Sequence, residues 1–168
     1  MKEYLVVDGY NVINSWPELN RMKSYNLGLA RDKLVEILQN FQGAQAVFII
    51  IVFDAHLSKT KMRAVLTAGN IRVVYTKTGE TADTLIEKMI GELPPRSKIT
   101  VVTNDWDEQR IVLGKGALRM TSGELLERVK ASAEQIDAYK NLSSNKLNTF
   151  ESLLHEKVKK RLEELRRK

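Results

Sequence analysis

The stretch VVDGYNVIN, residues 6–14, contains the pattern on which the fold prediction rests. An apolar run from Tyr4 to Val7 has the composition of a buried strand, and it ends abruptly in a carboxylate, Asp8, followed by Gly9. A single acid at this point has an ordinary explanation, because Asp-Gly pairs are common in turns. The pattern becomes informative because it recurs at other strand ends.

Three more apolar runs rich in β-branched residues predict buried strands, and a shorter run predicts an edge strand. They cover residues 47–53, 71–76, 99–103 and 117–121. Apolar residues at helical spacing predict helices between them, at residues 27–41, 57–68, 85–93 and 105–113. Gly69-Asn70 is interpreted as the stop of the second of these helices. Apolar strands that alternate with helices are typical of a parallel sheet covered on both faces. The predicted fold class is therefore α/β, with a mainly parallel central sheet flanked by helices.

The C-terminal part of the sequence predicts two helices joined by a linker. Thr121-Ser-Gly-Glu124 is a capping-box pattern that opens a helix reaching residue 139. Residues 141–145 resemble a linker, and a basic amphipathic helix follows from residue 147. We therefore predict a domain at residues 1–140 and a linker plus helix at 141–168. The apolar stripe of that last helix either packs on the domain or meets a partner.

Acidic residues follow each of the four predicted buried strands. Asp8 follows the first strand, Asp54 the second, Glu80 and Asp83 the third, and Asp105 the fourth. The C-terminal ends of parallel strands share one edge of a sheet, and ligands bind outside that edge. Carboxylates gathered there repel one another unless a cation neutralises them, and Mg²⁺ and Mn²⁺ prefer oxygen ligands. The sequence therefore predicts a divalent-cation site suited to phosphodiester hydrolysis.

Two of these acids also have a purely structural explanation. Asp105 and Glu108 form a D-x-x-E capping-box pattern, and Asp83 lies in the first turn of a helix, where the dipole favours negative charge. The recurrence of acids at four strand ends favours the functional interpretation.

Composition limits the classes of protein that fit. The chain has 168 residues and no cysteine, which excludes disulfides and thiolate metal sites. Its longest apolar run, residues 46–53, is too short to cross a bilayer, and we expect a cytoplasmic protein without a membrane partner. The net charge is +6, and residues 146–168 carry eight Lys and Arg against four Glu. This basic segment favours a polyanionic partner such as RNA, although a solvated lysine-rich helix would look the same.

Four separated motifs resemble one protein family. They are VVDGYNVI at 6–13, FDAH at 53–56, TGETAD at 78–83 and VTNDWDEQ at 102–109. Together they resemble the NYN-domain ribonucleases, specifically the bacterial YacP-like group with its PIN-like three-layer fold. The resemblance implies a metal-dependent endoribonuclease that uses Mg²⁺ or Mn²⁺ and no nucleotide cofactor. It also implies cleavage of messenger RNA (mRNA) in association with the translating ribosome.

The resemblance assigns roles to the acids at the strand ends. Asp8, Asp83 and Asp105 are the implied metal ligands, and Glu80 is a weaker candidate. Asp54 is expected to line the site. A catalytically silent RNA-binding or ribosome-binding module on the same fold is the alternative.

The remaining predicted residues concern RNA. The resemblance also implies that Asn11 orients a ligand or a substrate phosphate, and that Asn104 or Thr103 supports Asp105. Basic side chains near the strand ends and on the last helix are candidates for phosphate contacts, and an aromatic side chain is a candidate for base stacking. The RNA-binding candidates are Lys59, Lys61, Arg63, Arg72, Lys77, Trp106, Lys157, Lys160 and Arg161.

Overall fold

A computed structural model describes residues 1–55 and 64–166 of the chain. The strands in this part are β1 (Glu3–Asp8), β2 (Phe48–Phe53), β3 (Ala64–Ala68), β4 (Ile71–Tyr75), β5 (Lys98–Val102) and β6 (Leu118–Met120). The helices are α1 (Gly9–Ser15), α2 (Pro17–Tyr25), α3 (Leu27–Ala44), α4 (Ala82–Glu92), α5 (Trp106–Gly114) and α6 (Ser122–Arg166).

The strands form one sheet in the order β3-β4-β2-β1-β5-β6. Five strands run parallel, and β3 pairs antiparallel with β4 at one edge. The α/β fold with a mainly parallel central sheet is therefore confirmed. Chain order proceeds from β1 outward through β2 to β4, and then returns to the other side of β1 with β5. The strand order thus reverses between β1 and β5, which is where open α/β sheets bind ligands.

Helices cover both faces of the sheet, because the strand residues alternate between two apolar cores. Leu5 and Val7 of β1 face a core built with α1, α2, α3 and the start of α6. Val6 faces the other core, built with α4 and α5. Strands buried on both faces explain why the sequence runs are apolar throughout. This arrangement leaves the C-terminal ends of β1 and β5 as neighbours at the sheet edge.

Two helices and one strand differ from the sequence prediction. Helices α1 and α2 were not predicted, because their short segments lack a long apolar period. The predicted helix at 57–68 is wrong for residues 64–68, which form β3. Ala68 pairs with Ile71 across Gly69-Asn70, and Gly69 has a φ of 62°. A Gly-Asn pair between two runs is a two-residue hairpin signal, which we had interpreted as a helix stop. Residues 57–63 lie outside the described residues.

Contacts divide the chain into two units, residues 1–130 and residues 131 onward. In the first unit, the predicted capping box is confirmed: the Thr121 amide donates to Glu124 Oε2 at 2.6 Å, and the Glu124 amide donates to Thr121 Oγ1 at 3.2 Å. The second unit is helical to residue 166, so the predicted linker at 141–145 is wrong as a break in secondary structure. This segment contains no Gly or Pro, and Ser144 Oγ donates to the Lys140 carbonyl at 3.0 Å. The domain boundary at residue 140 stays a prediction.

None of the helices in residues 1–55 and 64–166 combines the length and hydropathy that a membrane span requires.

Candidate metal centre

Asp8 ends the central strand β1 and caps the helix that follows. Its Oδ1 accepts a hydrogen bond from the Asn11 amide at 3.3 Å, which satisfies one open donor of α1. Gly9 comes next because no side chain fits there: a Cβ at this position would lie 2.3 Å from Cε1 of Phe53. The Asp-Gly pair thus forms the N-terminus of α1, which packs closely against Phe53 of β2. This packing holds the Asp8 carboxylate at the sheet edge.

Asp8, Asp83 and Glu108 form the acidic cluster of this site. One carboxylate oxygen from each of the three lies within 4.8 Å of the others. Asp83 comes from the first turn of α4, and Glu108 comes from the first turn of α5. The three acids therefore reach one point from β1 and from two helices that pack on the same face. Two of them, Asp8 and Asp83, were predicted as metal ligands.

Glu108 was missed as a site residue because its spacing from Asp105 predicted only a capping box. Half of that box is present: Asp105 Oδ1 accepts from the amides of Asp107 at 2.9 Å and Glu108 at 3.3 Å. The Glu108 side chain instead lies in the acidic cluster, and the residue is only 4% exposed. The sequence contained one indication that Glu108 faces inward. It lies four residues before Val112, an apolar residue on the same face of α5 that is buried.

Burial raises the pKa of the Asp8 carboxyl to about 6. The amide of Asn11 acts in the opposite direction, and the negative charges of Asp83, Asp54 and Asp105 add to the rise. Three of the other predicted acids are therefore close enough to Asp8 to affect its ionisation, and Glu80 is not among them.

Burial also raises the pKa of Glu108 well above its usual range. The charges of Asp83 and Asp8 contribute in the same direction, and the nearby Thr103 side chain opposes them. Within the described part of the chain, neither carboxylate oxygen of Glu108 has a hydrogen-bond partner of good geometry. A buried carboxylate whose oxygens lack well-oriented hydrogen bonds is costly, and a divalent cation would neutralise it and take its oxygens as ligands. The residues present therefore fit a hard divalent cation.

The other predicted acids border the cluster in different ways. Asp105 lies beside it and caps α5 through Oδ1. Asp54 follows β2, next to β1, and its charge acts on Asp8. Glu80 lies in the turn before α4, where its Oε1 accepts from the Lys77 amide at 3.4 Å, and it is not part of the three-acid cluster.

Two asparagines connect the elements around the cluster. Asn11 Oδ1 accepts from the Asn104 amide at 2.9 Å and from Ser122 Oγ at 3.2 Å. Asn104 Oδ1 in turn accepts from the Ser122 amide at 2.9 Å. These bonds tie α1, the loop before α5 and the start of α6 together beside Asp8 and Asp105. The observed role of Asn11 is thus to position neighbouring segments, and its predicted contact with a ligand stays a prediction.

A groove of about 200 Å³ adjoins the acidic cluster. Five acids line it together with apolar side chains of α4 and α5: Asp83, Glu87, Asp105, Asp107 and Glu108. Trp106, at the start of α5, is 67% exposed. Its indole is thus accessible beside Asp105, as base stacking requires.

The predicted RNA-binding cations are spread along the chain. Lys77 is exposed just beyond the end of β4, and Arg72 is exposed near the start of the same strand. Lys157, Lys160 and Arg161 are exposed on the part of α6 in the second unit. The remaining three candidates lie outside the described residues: Lys59, Lys61 and Arg63.

Comparisons with known proteins extend over nearly the whole chain. The family described as the YacP-like NYN domain matches residues 5–167. A Bacillus subtilis (strain 168) protein, named uncharacterized protein YacP, is 36% identical over 166 residues, which is 98% of this chain and 97% of the relative. The crystal structure of Rae1 (YacP) from B. subtilis matches with a TM-score of 0.74 at 35% identity, over 98% of this chain and 94% of that chain. A mutant of the same protein matches with a TM-score of 0.70 at 36% identity, over 80% and 79% of the two chains.

Proposed function

The chain belongs to the YacP-like NYN domain family, and from this premise we propose that it is a metal-dependent endoribonuclease. The family implies a nuclease-type fold, and the acidic cluster lies at the sheet position where such folds bind ligands. The observation that carries the proposal is the buried Glu108, whose carboxylate oxygens have no hydrogen-bond partner of good geometry in the described structure.

In this proposal, Asp8, Asp83 and Glu108 hold Mg²⁺ or Mn²⁺. A bound divalent cation would neutralise the scissile phosphate and make a coordinated water more acidic. The protein's own part is to fix the three carboxylates from separate elements, with Glu108 buried and Asp83 exposed on the side open to substrate. Asp54 and Asp105 extend the acidic edge, and they would hold water or a second cation beside the three acids.

The substrate side of the proposal rests on exposed cations and one exposed aromatic. Lys77 would contact backbone phosphates beyond the end of β4, and Trp106 would stack on an unpaired base beside the groove. The basic face of α6 would bind a larger polyanion. These features favour RNA with unpaired bases, and we propose mRNA engaged by the ribosome as the physiological form.

Cleavage of a labelled mRNA tests this function. The RNA is offered free and on translating ribosomes, with Mn²⁺, Mg²⁺ or chelator, to the wild type and to two variants. We expect metal-dependent cleavage by the wild type and a loss of at least about 100-fold in Asp83→Asn, comparable to the loss of a transition-state contact. Asp107→Asn is the matched control, because Asp107 lines the same groove outside the three-acid cluster, and it should cleave within a few-fold of wild type. RNA or ribosome binding without cleavage in any format would instead identify a silent binding module.

A further inference from the structure

The part of α6 in the second unit carries a stripe of exposed apolar side chains. Among the described residues, none of them belongs to either hydrophobic core of the sheet. The stripe of α6 consists of six residues, each at least 47% exposed: Leu147, Phe150, Leu154, Val158, Leu162 and Leu165. At 3.6 residues per turn, all six lie within about 60° of the direction of Leu147. The stripe therefore occupies one face of the helix over roughly 27 Å. An exposed row of apolar side chains of this kind marks an interaction surface.

The stripe is symmetric along the sequence about Glu156. Leu147 and Leu165 are each nine residues from Glu156, Phe150 and Leu162 are each six, and Leu154 and Val158 are each two. Glu156 itself projects from the opposite face of the helix. A second copy of α6 running antiparallel would therefore bring an apolar residue level with every residue of the stripe. A symmetric, self-complementary surface of this type is what a twofold dimer requires.

Two charged residues lie on the same face of the helix, about 40° to either side of Leu147, and they follow the same symmetry with opposite sign. Glu151 and Arg161 are each five residues from Glu156. In the antiparallel arrangement, Glu151 lies level with Arg161 of the second copy, and the pair occurs twice. In a parallel arrangement at the same register, Glu151 would instead meet Glu151, and Arg161 would meet Arg161. The charges therefore select the antiparallel orientation.

We propose that the chain forms a homodimer through antiparallel pairing of the α6 stripes. Six half-exposed apolar side chains from each copy would bury on the order of 1,200 Å² in total, the lower limit of a specific protein interface. An interface of this size is compatible with micromolar association. The proposal concerns the second unit and does not depend on the metal centre or on the proposed ribonuclease activity.

Sedimentation of the full chain between about 1 and 100 µM tests the dimer. We expect concentration-dependent dimer formation by the wild type and a loss of at least about tenfold in association for Leu154→Glu, because a charge would enter the apolar stripe. Leu153→Glu is the matched control: Leu153 is a 54% exposed neighbour that points about 120° away from Leu147, and its variant should dimerise like wild type. A monomeric wild type over the whole range would overturn the proposal.

Disulfide trapping tests the orientation, because the natural chain contains no cysteine. Leu147→Cys and Leu165→Cys should cross-link to each other when mixed and should not cross-link to themselves. A parallel dimer would give the reverse, with each variant cross-linking to itself, and would refute the antiparallel geometry. Reversal of one charge in Glu151→Arg should weaken the dimer, and adding Arg161→Glu should restore it.

Discussion

Replacing Asp8 by asparagine should stabilise the metal-free protein while it abolishes cleavage. The Asp8 carboxyl is buried beside other acids, and its pKa rises from 3.8 to about 6. Folding therefore raises the proton affinity of this carboxyl, so its contribution to stability is most favourable below pH 4 and becomes less favourable as the pH rises from about 4 to 6. Asparagine has nearly the same shape, keeps an oxygen to accept from the Asn11 amide, and carries no charge.

The magnitude follows from the pKa difference. A rise from 3.8 to about 6 corresponds to about 3 kcal/mol at pH 8, at 1.36 kcal/mol per pKa unit. At pH 5 the same two values give about half that free energy, because the folded carboxyl is then largely protonated. Asp8→Asn should accordingly raise the free energy of unfolding by about these amounts in chelator, which is an increase of roughly 6–12 °C in melting temperature at pH 8.

Urea unfolding in chelator at pH 5 and pH 8 measures this effect. Asp32→Asn is the control, since Asp32 is an exposed acid on α3, and its variant should stay within about 0.5 kcal/mol of wild type at both pH values. Added Mn²⁺ should reverse the order by stabilising the wild type and not the Asp8 variant. The reasoning fails if Asp8→Asn is no more stable than wild type at pH 8, or if its advantage does not shrink at pH 5.

Substitutions at three further positions test the residues that hold the site in place. Gly9→Ala should lower the free energy of unfolding by about 1–3 kcal/mol in the same urea assay, because its Cβ would overlap the Phe53 ring. Gly91→Ala is the control, since a Cβ there meets open space on α4, and it should be neutral or stabilising. Asn104→Ala should lower the single-turnover cleavage rate about tenfold at saturating Mn²⁺, because it removes the side-chain oxygen that accepts from the Ser122 amide, while the bond from the Asn104 backbone amide to Asn11 stays. Unchanged cleavage would remove the Asn104 side chain from the positioning network. Asp105→Asn should keep the helix cap and the free energy of unfolding but lose cleavage activity. Asp105→Ala should lose cleavage and also lower the free energy of unfolding by about 1 kcal/mol, because the cap is removed. Full cleavage by both variants would leave Asp105 with a capping role only.

The sequence was most informative where strands are buried on both faces. Such strands read as continuous apolar runs, so the sheet and its acidic edge were predictable, and the resemblance to YacP-like NYN domains is confirmed. Hairpins depend on two residues rather than on a long period, which is why Gly69-Asn70 was interpreted as a helix end. The predicted linker at 141–145 was wrong for a related reason, since Ser and Asn weaken a helix without ending it.

Within the site, sequence reasoning identified the acids that were counted from the strand ends and missed Glu108, which was assigned only to a helix cap. Asp8 and Asp83 are at or close to strand ends, and they meet as predicted. Glu108 joins them because α5 packs its first turn against the sheet, with Val112 buried one turn later. The direction of a side chain on a short helix depends on that packing, which the D-x-x-E spacing does not specify. The two asparagines that tie the site together are equally dependent on contacts between distant segments.

Binding of Mn²⁺ to the chelator-treated full chain, followed by electron paramagnetic resonance, tests the central claim most directly. The account predicts saturable binding by the wild type at pH 8 and a loss of at least about tenfold in affinity for Glu108→Gln, since a metal ligand would be removed. Glu87→Gln is the matched control, because Glu87 lines the same groove but pairs with Lys115 at 3.3 Å, and it should bind like wild type. Wild-type affinity in Glu108→Gln would contradict the assignment of the acidic cluster as the metal centre.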